Sequence, residues 1–298
     1  MAILAQLHFT LRRGTTLPRC AHHASAVQPV RTRVNALLLA LALLLFGAVP
    51  TANAQSSSAD TNRQIVQVST INALISGIFD GDTTLRELKQ YGSFGIGTIN
   101  HLDGEMLMLD GVSYQITADG EVHQLPPDTK TPFAAVTDFH SDSVTTATNI
   151  ESFDALQKAI DADLPSPNLF YAIKITGTFP EMKVRSVPRQ TQPYRSLTDV
   201  VKDQSLFTYQ NTSGTVVGFR CPPFVQGINV AGYHLHFLSA DKRQGGHVLG
   251  FKIESGRTEI DVLPDFKLIL PDSSAFLKAD LRDKNEADIH AVEQIRVK

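Results

Sequence analysis

The most informative stretch of this chain is Gly232-Tyr233-His234-Leu235-His236-Phe237, which Gly245-Gly246-His247 follows after a short gap. In an extended strand alternate side chains share a face, so the spacing predicts that His234 and His236 point to one side while their neighbours point into a core. His247 on the next strand would complete a metal site. Three neutral histidines leave a coordination position open, which is typical of catalytic zinc. We therefore predict that these three histidines bind Zn²⁺.

The first 54 residues have the composition of a secretory signal. Five arginines and no acidic residue accompany the apolar run 36–49, and Thr51-Ala52-Asn53-Ala54 supplies an A-x-A cleavage site. A membrane anchor is the alternative, but the 14 apolar residues are fewer than the roughly 20 that span a bilayer. We therefore expect residues 1–54 to be a signal peptide cleaved near Ala54, residues 55–64 to be a disordered leader, and the mature protein to be exported to the periplasm or the medium.

Charge and cysteine content exclude some partners. Cleavage removes five of the 27 basic residues and leaves 22 against 30 acidic residues, a net charge of −8. Such a protein has no electrostatic reason to bind nucleic acid or an anionic membrane surface. Cys221 is the single cysteine left, so an intramolecular disulfide is excluded. We expect a small-molecule substrate, no membrane association after cleavage and, from base rates alone, a homodimer.

The first half of the mature chain is predicted to be a β-meander with short helices. Three turn dipeptides follow one another at short intervals: Asp103-Gly104, Asp110-Gly111 and Asp119-Gly120. They indicate hairpins between residues 95 and 139. Helices are predicted over residues 83–92 and 152–160, the second with Ser152 as its N-cap. Pro165-Ser166-Pro167 then indicates a domain boundary.

The second half is predicted to be mostly strands. Residues 170–175 and 182–187 alternate as two strands joined at Gly177-Thr178, and residues 196–206 are predicted to be a helix. Further elements are strands at 214–219, 232–238 and 247–253 and a C-terminal helix over 286–297. The expected fold class is therefore α+β and β-rich, with two layered mixed β-sheet domains: 65–164, and a metal-binding domain over 165–298.

Several motifs occur together in one enzyme family, in the same order and with compatible spacing. They are Gly97-Thr98-Ile99-Asn100-His101-Leu102-Asp103-Gly104-Glu105, Thr131-Pro132-Phe133-Ala134, Arg185-Ser186-Val187, Asn229-Val230-Ala231 before the His-x-His strand, and Gly245-Gly246-His247-Val248-Leu249 after it. On these motifs the chain resembles the α-acetolactate decarboxylase family from residue 67 to residue 293.

The resemblance implies roles for residues that the pattern alone leaves open. It implies that the three histidines bind zinc and that Glu105, Arg185 and Thr98 lie in the active site. A further glutamate of the family, near the C-terminus, matches Glu293, and Glu286 lies in the same predicted helix.

The activity implied by the resemblance is zinc-dependent decarboxylation of 2-acetolactate (2-hydroxy-2-methyl-3-oxobutanoate) to acetoin and carbon dioxide, in acetoin and 2,3-butanediol formation. Such an acid loses carbon dioxide readily only if the electrons left behind can be held on the ketone oxygen, and zinc is a Lewis acid that accepts them. Arg185 would orient the carboxylate through its planar fork of donors. Glu105 or Glu293 would protonate the carbon, and Thr98 would contribute a hydrogen bond beside the metal.

Two other classes of function fit the same residues. Three histidines and a water could form a zinc-hydroxide hydrolase or hydratase, because the metal lowers the pKa of bound water to about 7. The histidines could also belong to a non-catalytic exported metal-binding protein. Taken alone, Glu105 could be a solvated turn residue and Arg185 could point outward from its strand.

Overall fold

Strands dominate the part of the chain that this computed structural model describes, residues 63–282. The strands are β1 (Gln64–Val68), β2 (Thr83–Thr84), β3 (Phe94–Thr98), β4 (Glu105–Leu109), β5 (Val112–Ile116), β6 (Val122–Gln124), β7 (Lys130–Thr131), β8 (Ala134–Thr137), β9 (Ser143–Ile150), β10 (Phe170–Ser186), β11 (Ser205–Cys221), β12 (Gly232–Ser239), β13 (Gly245–Leu263) and β14 (Asp265–Ile269). The helices are α1 (Ile71–Ile75), α2 (Leu85–Leu88), α3 (Phe153–Asp163), α4 (Leu197–Val200) and α5 (Ser274–Lys278), with 3₁₀ turns at Asn100–Leu102, Val201–Asp203 and Pro223–Val225. The α+β, β-rich fold class is confirmed.

The first sheet contains the predicted meander. Its seven strands run in the order β14-β1-β8-β3-β4-β5-β6, and β3 to β6 are consecutive antiparallel neighbours. The turn between β4 and β5 shows why the Asp-Gly dipeptides are informative. Asp110 and Gly111 both have positive φ, 53° and 74°, as a two-residue type I′ turn requires.

The second sheet closes on itself. Its order is β10-β11-β12-β13-β9, and β13 also pairs with β10, so the four strands β10 to β13 form a ring. The prediction of two strands joined at Gly177-Thr178 is wrong, because β10 runs unbroken for 17 residues. Gly177 lies between Gly214 and Gly256 on the neighbouring strands, and a Cβ there would come within 2.4 Å of the Ser255 carbonyl oxygen. This glycine permits close approach of backbones and does not form a turn.

The predicted helices are confirmed at two places and corrected at a third. Thr84 caps α2 in a capping box, and Ser152 caps α3. The helix predicted over 196–206 ends much earlier, since α4 and a 3₁₀ turn finish at Asp203 and β11 begins at Ser205. From Leu206 the side chains alternate between exposed and partly buried along β11, so pairing with β10 prevails over helix formation.

Two cores place the site between the sheets. In one core, side chains of the first sheet, such as Leu107, pack on Val217 and Phe219 of β11. In the other, Leu235 and Phe237 of β12 pack with α3 and the rest of the second sheet. The prediction that the neighbours of the two β12 histidines point into a core is therefore confirmed. The opposite face of β12 points towards the first sheet.

The described residues fall within one compact unit. The sheets do not divide at Pro165: β9 precedes it yet belongs to the second sheet, while β14 follows it and pairs with β1. The domains 65–164 and 165–298 stay a prediction. The predicted signal peptide 1–54, the leader before residue 63, the helix 286–297 and Glu293 lie outside the described residues. Between residues 63 and 282, none of the helices has the length and hydropathy needed to cross a bilayer.

Candidate metal centre and active site

The three predicted ligand residues lie together on two adjacent strands. His234 and His236 share a face of β12, and His236 is the direct cross-strand partner of His247 on β13. All three are buried, with 8%, 1% and 2% of their surface exposed. One nitrogen from each ring can be chosen so that all three lie within 4.8 Å of one another. Nitrogen atoms at this separation could bind one metal ion.

Hydrogen bonding selects the ligand atom of His236. Its Nδ1 lies 2.9 Å from the carbonyl oxygen of Met106 on β4. A carbonyl can only accept, so Nδ1 carries the proton and the neutral ring has a lone pair on Nε2. That Nε2 is buried and has no hydrogen bond among the described residues. The first sheet thus orients this histidine as outer-shell partners orient metal ligands in other proteins.

Burial keeps His234 and His236 neutral. Desolvation, assisted by the positive charge of Arg185, lowers the pKa of His234 to about 3. Desolvation is also the largest cause that lowers the pKa of His236 well below its ordinary value. Only a neutral imidazole has a lone pair for a metal, so these two rings could bind a cation at neutral pH.

An arginine–glutamate pair joins the two sheets beside the histidines. Arg185 on β10 is the cross-strand partner of His247, and its Nη1 donates to Glu105 Oε1 on β4 at 2.8 Å. Both side chains are buried, 5% and 8% exposed. Arg185 therefore points inward and Glu105 is no solvated turn residue. The Nε of Arg185 is buried without a hydrogen-bond partner among the described residues, so a donor remains for a ligand.

The second oxygen of Glu105 lies near the metal centre. Glu105 Oε2 is 3.5 Å from His236 Nε2. Thr98 on β3 is the cross-strand partner of Glu105, and its hydroxyl donates to the Gly104 carbonyl at 2.7 Å. Thr98 thereby stabilises the turn that leads into Glu105, and its oxygen still has lone pairs with which to accept.

A cavity of about 380 Å³, its open mouth included, brings these groups together. Its polar lining consists of Thr98, Glu105, Arg185 and His234. Its apolar lining consists of Ile71, Leu74, Leu102, Phe133, Val187 and Leu197. The site therefore suits a small polar molecule with an alkyl group.

The apolar lining was not among the predicted site residues. Leu74 lies on α1 and Leu197 on α4, two short helices capped by Thr70 and Ser196. An N-cap residue before apolar residues at helical spacing could have indicated α1. Nothing in the local sequence indicates that either helix faces the site.

Cys221 is set apart from the chemistry. It is buried in β11, and burial raises the pKa of its thiol to about 12. A thiol with so high a pKa is a poor nucleophile. Cys221 therefore belongs to the core between the two sheets.

Buried charged and ligating groups that converge on a cavity with one apolar wall define an enzyme that acts on a small molecule. The family model described as Alpha-acetolactate decarboxylase matches residues 65–283. The chain belongs to the alpha-acetolactate decarboxylase family, whose members are carboxy-lyases.

Relatives named alpha-acetolactate decarboxylase align with most of the chain. The alpha-acetolactate decarboxylase of Brevibacillus brevis is 43% identical over 232 residues, 78% of this chain and 81% of that protein. The enzyme of the same name from Methanosarcina mazei is 45% identical over 230 residues, 77% of this chain and 80% of its own length. The crystal structure of alpha-acetolactate decarboxylase from Bacillus subtilis strain 168 superposes with a TM-score of 0.77 at 38% identity, covering 78% of this chain and all of the other.

Proposed function

We propose that this chain decarboxylates 2-acetolactate to acetoin and carbon dioxide with a zinc ion bound by His234, His236 and His247. The observation that supports this most strongly is the shared location of two features. The buried three-histidine group lies beside a cavity that His234 lines together with the Arg185–Glu105 pair. We infer the substrate from the names of the relatives. We infer the metal from the three imidazole ligands.

The donor set fits a zinc ion. Three imidazoles are a ligand set of catalytic zinc sites, and Cys221, a softer ligand, lies elsewhere. The buried Nε2 of His236 without a hydrogen bond among the described residues is explained if a cation takes its lone pair. When bound, zinc would supply the Lewis acid that stabilises negative charge on the ketone oxygen as carbon dioxide leaves.

Arg185 would bind and orient the carboxylate that is lost. Its Nη1 is occupied by Glu105, while its buried Nε is available to an anion in the cavity. A guanidinium presents its donors in a rigid plane, which matches the two oxygens of a carboxylate. Because β10 holds this arginine beside His247, the carboxylate would lie next to the metal centre.

Protonation of carbon needs an acid on the cavity wall. Among the described residues that line the cavity, Glu105 carries the carboxyl group, and the hydrogen bond to Arg185 fixes its position. Glu293 is the second candidate from the family resemblance. Thr98, cross-strand to Glu105, would accept a hydrogen bond from the substrate or hold the turn in place. The apolar lining would receive the methyl groups.

The test is direct turnover of racemic 2-acetolactate, followed by acetoin and carbon dioxide, with and without a chelator. We expect metal-dependent acetoin formation. Arg185→Ala should abolish turnover and keep the metal stoichiometry, since the arginine is not a ligand. Metal binding without acetoin formation would instead favour a zinc-hydroxide enzyme or a non-catalytic metal-binding protein. Loss of metal in the arginine variant would contradict its assigned role.

We further propose export after cleavage near Ala54, supported by the composition of residues 1–54. N-terminal sequencing of the protein from an expressing cell tests this, with Gln55 as the expected first residue. Sedimentation of the purified protein tests the expectation of a homodimer.

A further inference from the structure

The loop between β3 and β4 is held in an unfavourable backbone conformation. It connects two cavity residues, Thr98 and Glu105, in six residues. His101 and Leu102 both have positive φ, 67° and 51°. Residues other than glycine rarely adopt this region. Histidine does so more often than most, but a bulky leucine there is an outlier, so surrounding contacts must stabilise the loop. Leu102 lines the cavity, and the strained segment therefore forms part of the site.

Backbone contacts fix this loop from two sides. The amide of His101 donates to the Phe79 carbonyl at 2.8 Å, and its carbonyl accepts from the Gln190 amide at 2.7 Å. Asn100 makes two hydrogen bonds of 2.9 Å with the backbone of Gly81. The loop is thus joined to the segment after α1 and to the segment before α4.

Side chains add a closed triad at the same junction. The hydroxyl of Tyr194 donates to Asp80 Oδ1 at 2.8 Å, and His101 Nδ1 lies 2.7 Å from that hydroxyl and 3.1 Å from the same carboxylate oxygen. The hydroxyl has one proton and gives it to Asp80, so Nδ1 must be the donor to both oxygens. Gln192 holds the other oxygen of Asp80 at 2.9 Å, and the ring of Tyr194 packs on Phe79 with centroids 5.2 Å apart.

The triad takes one residue from each of three segments that build the cavity. Nine of the eleven lining residues come from segments 71–81, 97–105 and 185–197. Asp80, His101 and Tyr194 lie one in each. None of the three is among the residues that line the cavity or form the histidine group on β12 and β13.

We propose that Asp80, His101 and Tyr194 are positioning residues that hold the three cavity segments in register and thereby set the places of Leu102 and Glu105. This rests on the proposed function and deepens it. The triad acts on the walls around the substrate, so its loss should slow the chemical step. The metal ligands lie on strands that do not depend on it.

Tyr194→Phe is the sharpest variant, because it removes the bridging hydroxyl and keeps the ring on Phe79. We expect kcat to fall about tenfold with a smaller change in KM, less than the roughly hundredfold that a 1 Å misplacement costs. Metal stoichiometry should equal that of the wild type. The matched control is Tyr171→Phe, which removes a buried hydroxyl bonded to the Ser166 carbonyl at 2.6 Å, away from the cavity. It should lower Tm and leave kcat per folded protein unchanged.

Two variants at His101 separate hydrogen bonding from backbone conformation. Asparagine tolerates positive φ and carries a donor near the place of Nδ1, so His101→Asn should keep a kcat close to that of the wild type. Glycine favours the same φ and has no donor. His101→Gly should therefore lose kcat to the same extent as Tyr194→Phe.

The outcomes are distinct, with kcat measured per folded, metal-loaded protein. A wild type without activity on 2-acetolactate refutes the proposed function itself. An active wild type with Tyr194→Phe at full kcat overturns the positioning role. Equal losses of kcat in Tyr194→Phe and Tyr171→Phe also overturn it, because the loss would then not be specific to the cavity segments. Rescue by asparagine but not by glycine supports the triad even if one variant folds poorly.

Discussion

The two sides of the cavity are built in different ways. The histidine side consists of long paired strands, where a two-residue spacing on β12 and a single cross-strand register place three histidines together. The opposite wall is assembled from two short helices and a strained loop, brought together by hydrogen bonds between residues far apart in the chain. The chemistry thus lies on a rigid frame, while the shape of the site depends on several separate contacts. Substitution of the histidines should abolish activity. Substitution of residues in the opposite wall should lower activity or change substrate preference only in part.

Removal of a metal ligand should have the largest effect. His236→Ala removes the ring whose Nε2 is available to the cation, and the metal and turnover should be lost together. The loss of activity should exceed the roughly 10–100-fold that removal of an outer-shell partner costs. Elemental analysis and acetoin formation measure both. His123→Ala, an exposed histidine beside Glu121, is the matched control and should change neither. Full activity in the His236 variant would remove the distinction between the two sides.

Truncation of the apolar wall should change substrate preference and not abolish activity. Leu74→Ala enlarges the cavity next to the proposed site of the methyl groups. We expect kcat/KM for the homologue with ethyl in place of the 2-methyl group to rise about tenfold relative to 2-acetolactate, within the range that one methylene is worth. Leu156→Ala is the control, because this leucine lies on α3 in the core that also contains Leu235 and Phe237. Both should lower stability by roughly 2–5 kcal/mol, and only the first should change the ratio. If both variants changed the ratio of the two kcat/KM values, or if neither did, the result would argue that α1 does not contact the substrate.

Addition of a methyl group at Gly177 on β10 tests how tightly the strands of the closed second sheet pack. Gly177→Ala would bring a Cβ within 2.4 Å of the Ser255 carbonyl oxygen, so the ring of strands must shift. We expect a loss of about 1–3 kcal/mol in the free energy of unfolding, with activity per folded protein retained because the site lies further along the strand. Denaturant unfolding measures the first and acetoin formation the second. Unchanged stability would show that the strands of this ring are less tightly apposed than described.

The smallest effect concerns Cys221, which lies between the sheets. Burial raises the pKa of the thiol from 9.0 to about 12, so the folded protein beginning at Gln55 should not react with a thiol reagent at pH 8, and the unfolded protein should. Since the folded pKa is raised above the unfolded pKa, the stability from the neutral thiol is present below about pH 9 and is lost as pH rises towards 12. Rapid labelling of the native protein would indicate that the sheets separate readily.

Local patterns predicted the strand that places His234 and His236 on one face, and they predicted the wall of the cavity poorly, for physical reasons. The alternation of β12 and the Asp-Gly turns of the meander depend on neighbours in sequence, so they could be predicted without the structure. Gly177 was misinterpreted as a turn because the close approach to Gly214 and Gly256 is a long-range contact. Arg185 and Glu105 were identified by family motifs, but their direct hydrogen bond depends on the packing of two sheets.

The triad of Asp80, His101 and Tyr194 could not be predicted from the sequence either. His101 was visible as part of a motif, yet its partners Asp80 and Tyr194 are 21 and 93 positions away, and no spacing rule joins them. Similarly, Leu74 and Leu197 belong to helices whose sequences indicate only that they are short and capped. Residues that shape a cavity from distant segments become visible only once the fold is known.

Titration of the metal-free protein with zinc tests the central claim most directly. Acetoin formation from 2-acetolactate should rise in proportion to bound zinc and saturate at one ion per chain, because the described residues contain one such histidine group. Full activity in the metal-free protein, or saturation of the site with no acetoin formed, would contradict the proposed zinc-dependent decarboxylation.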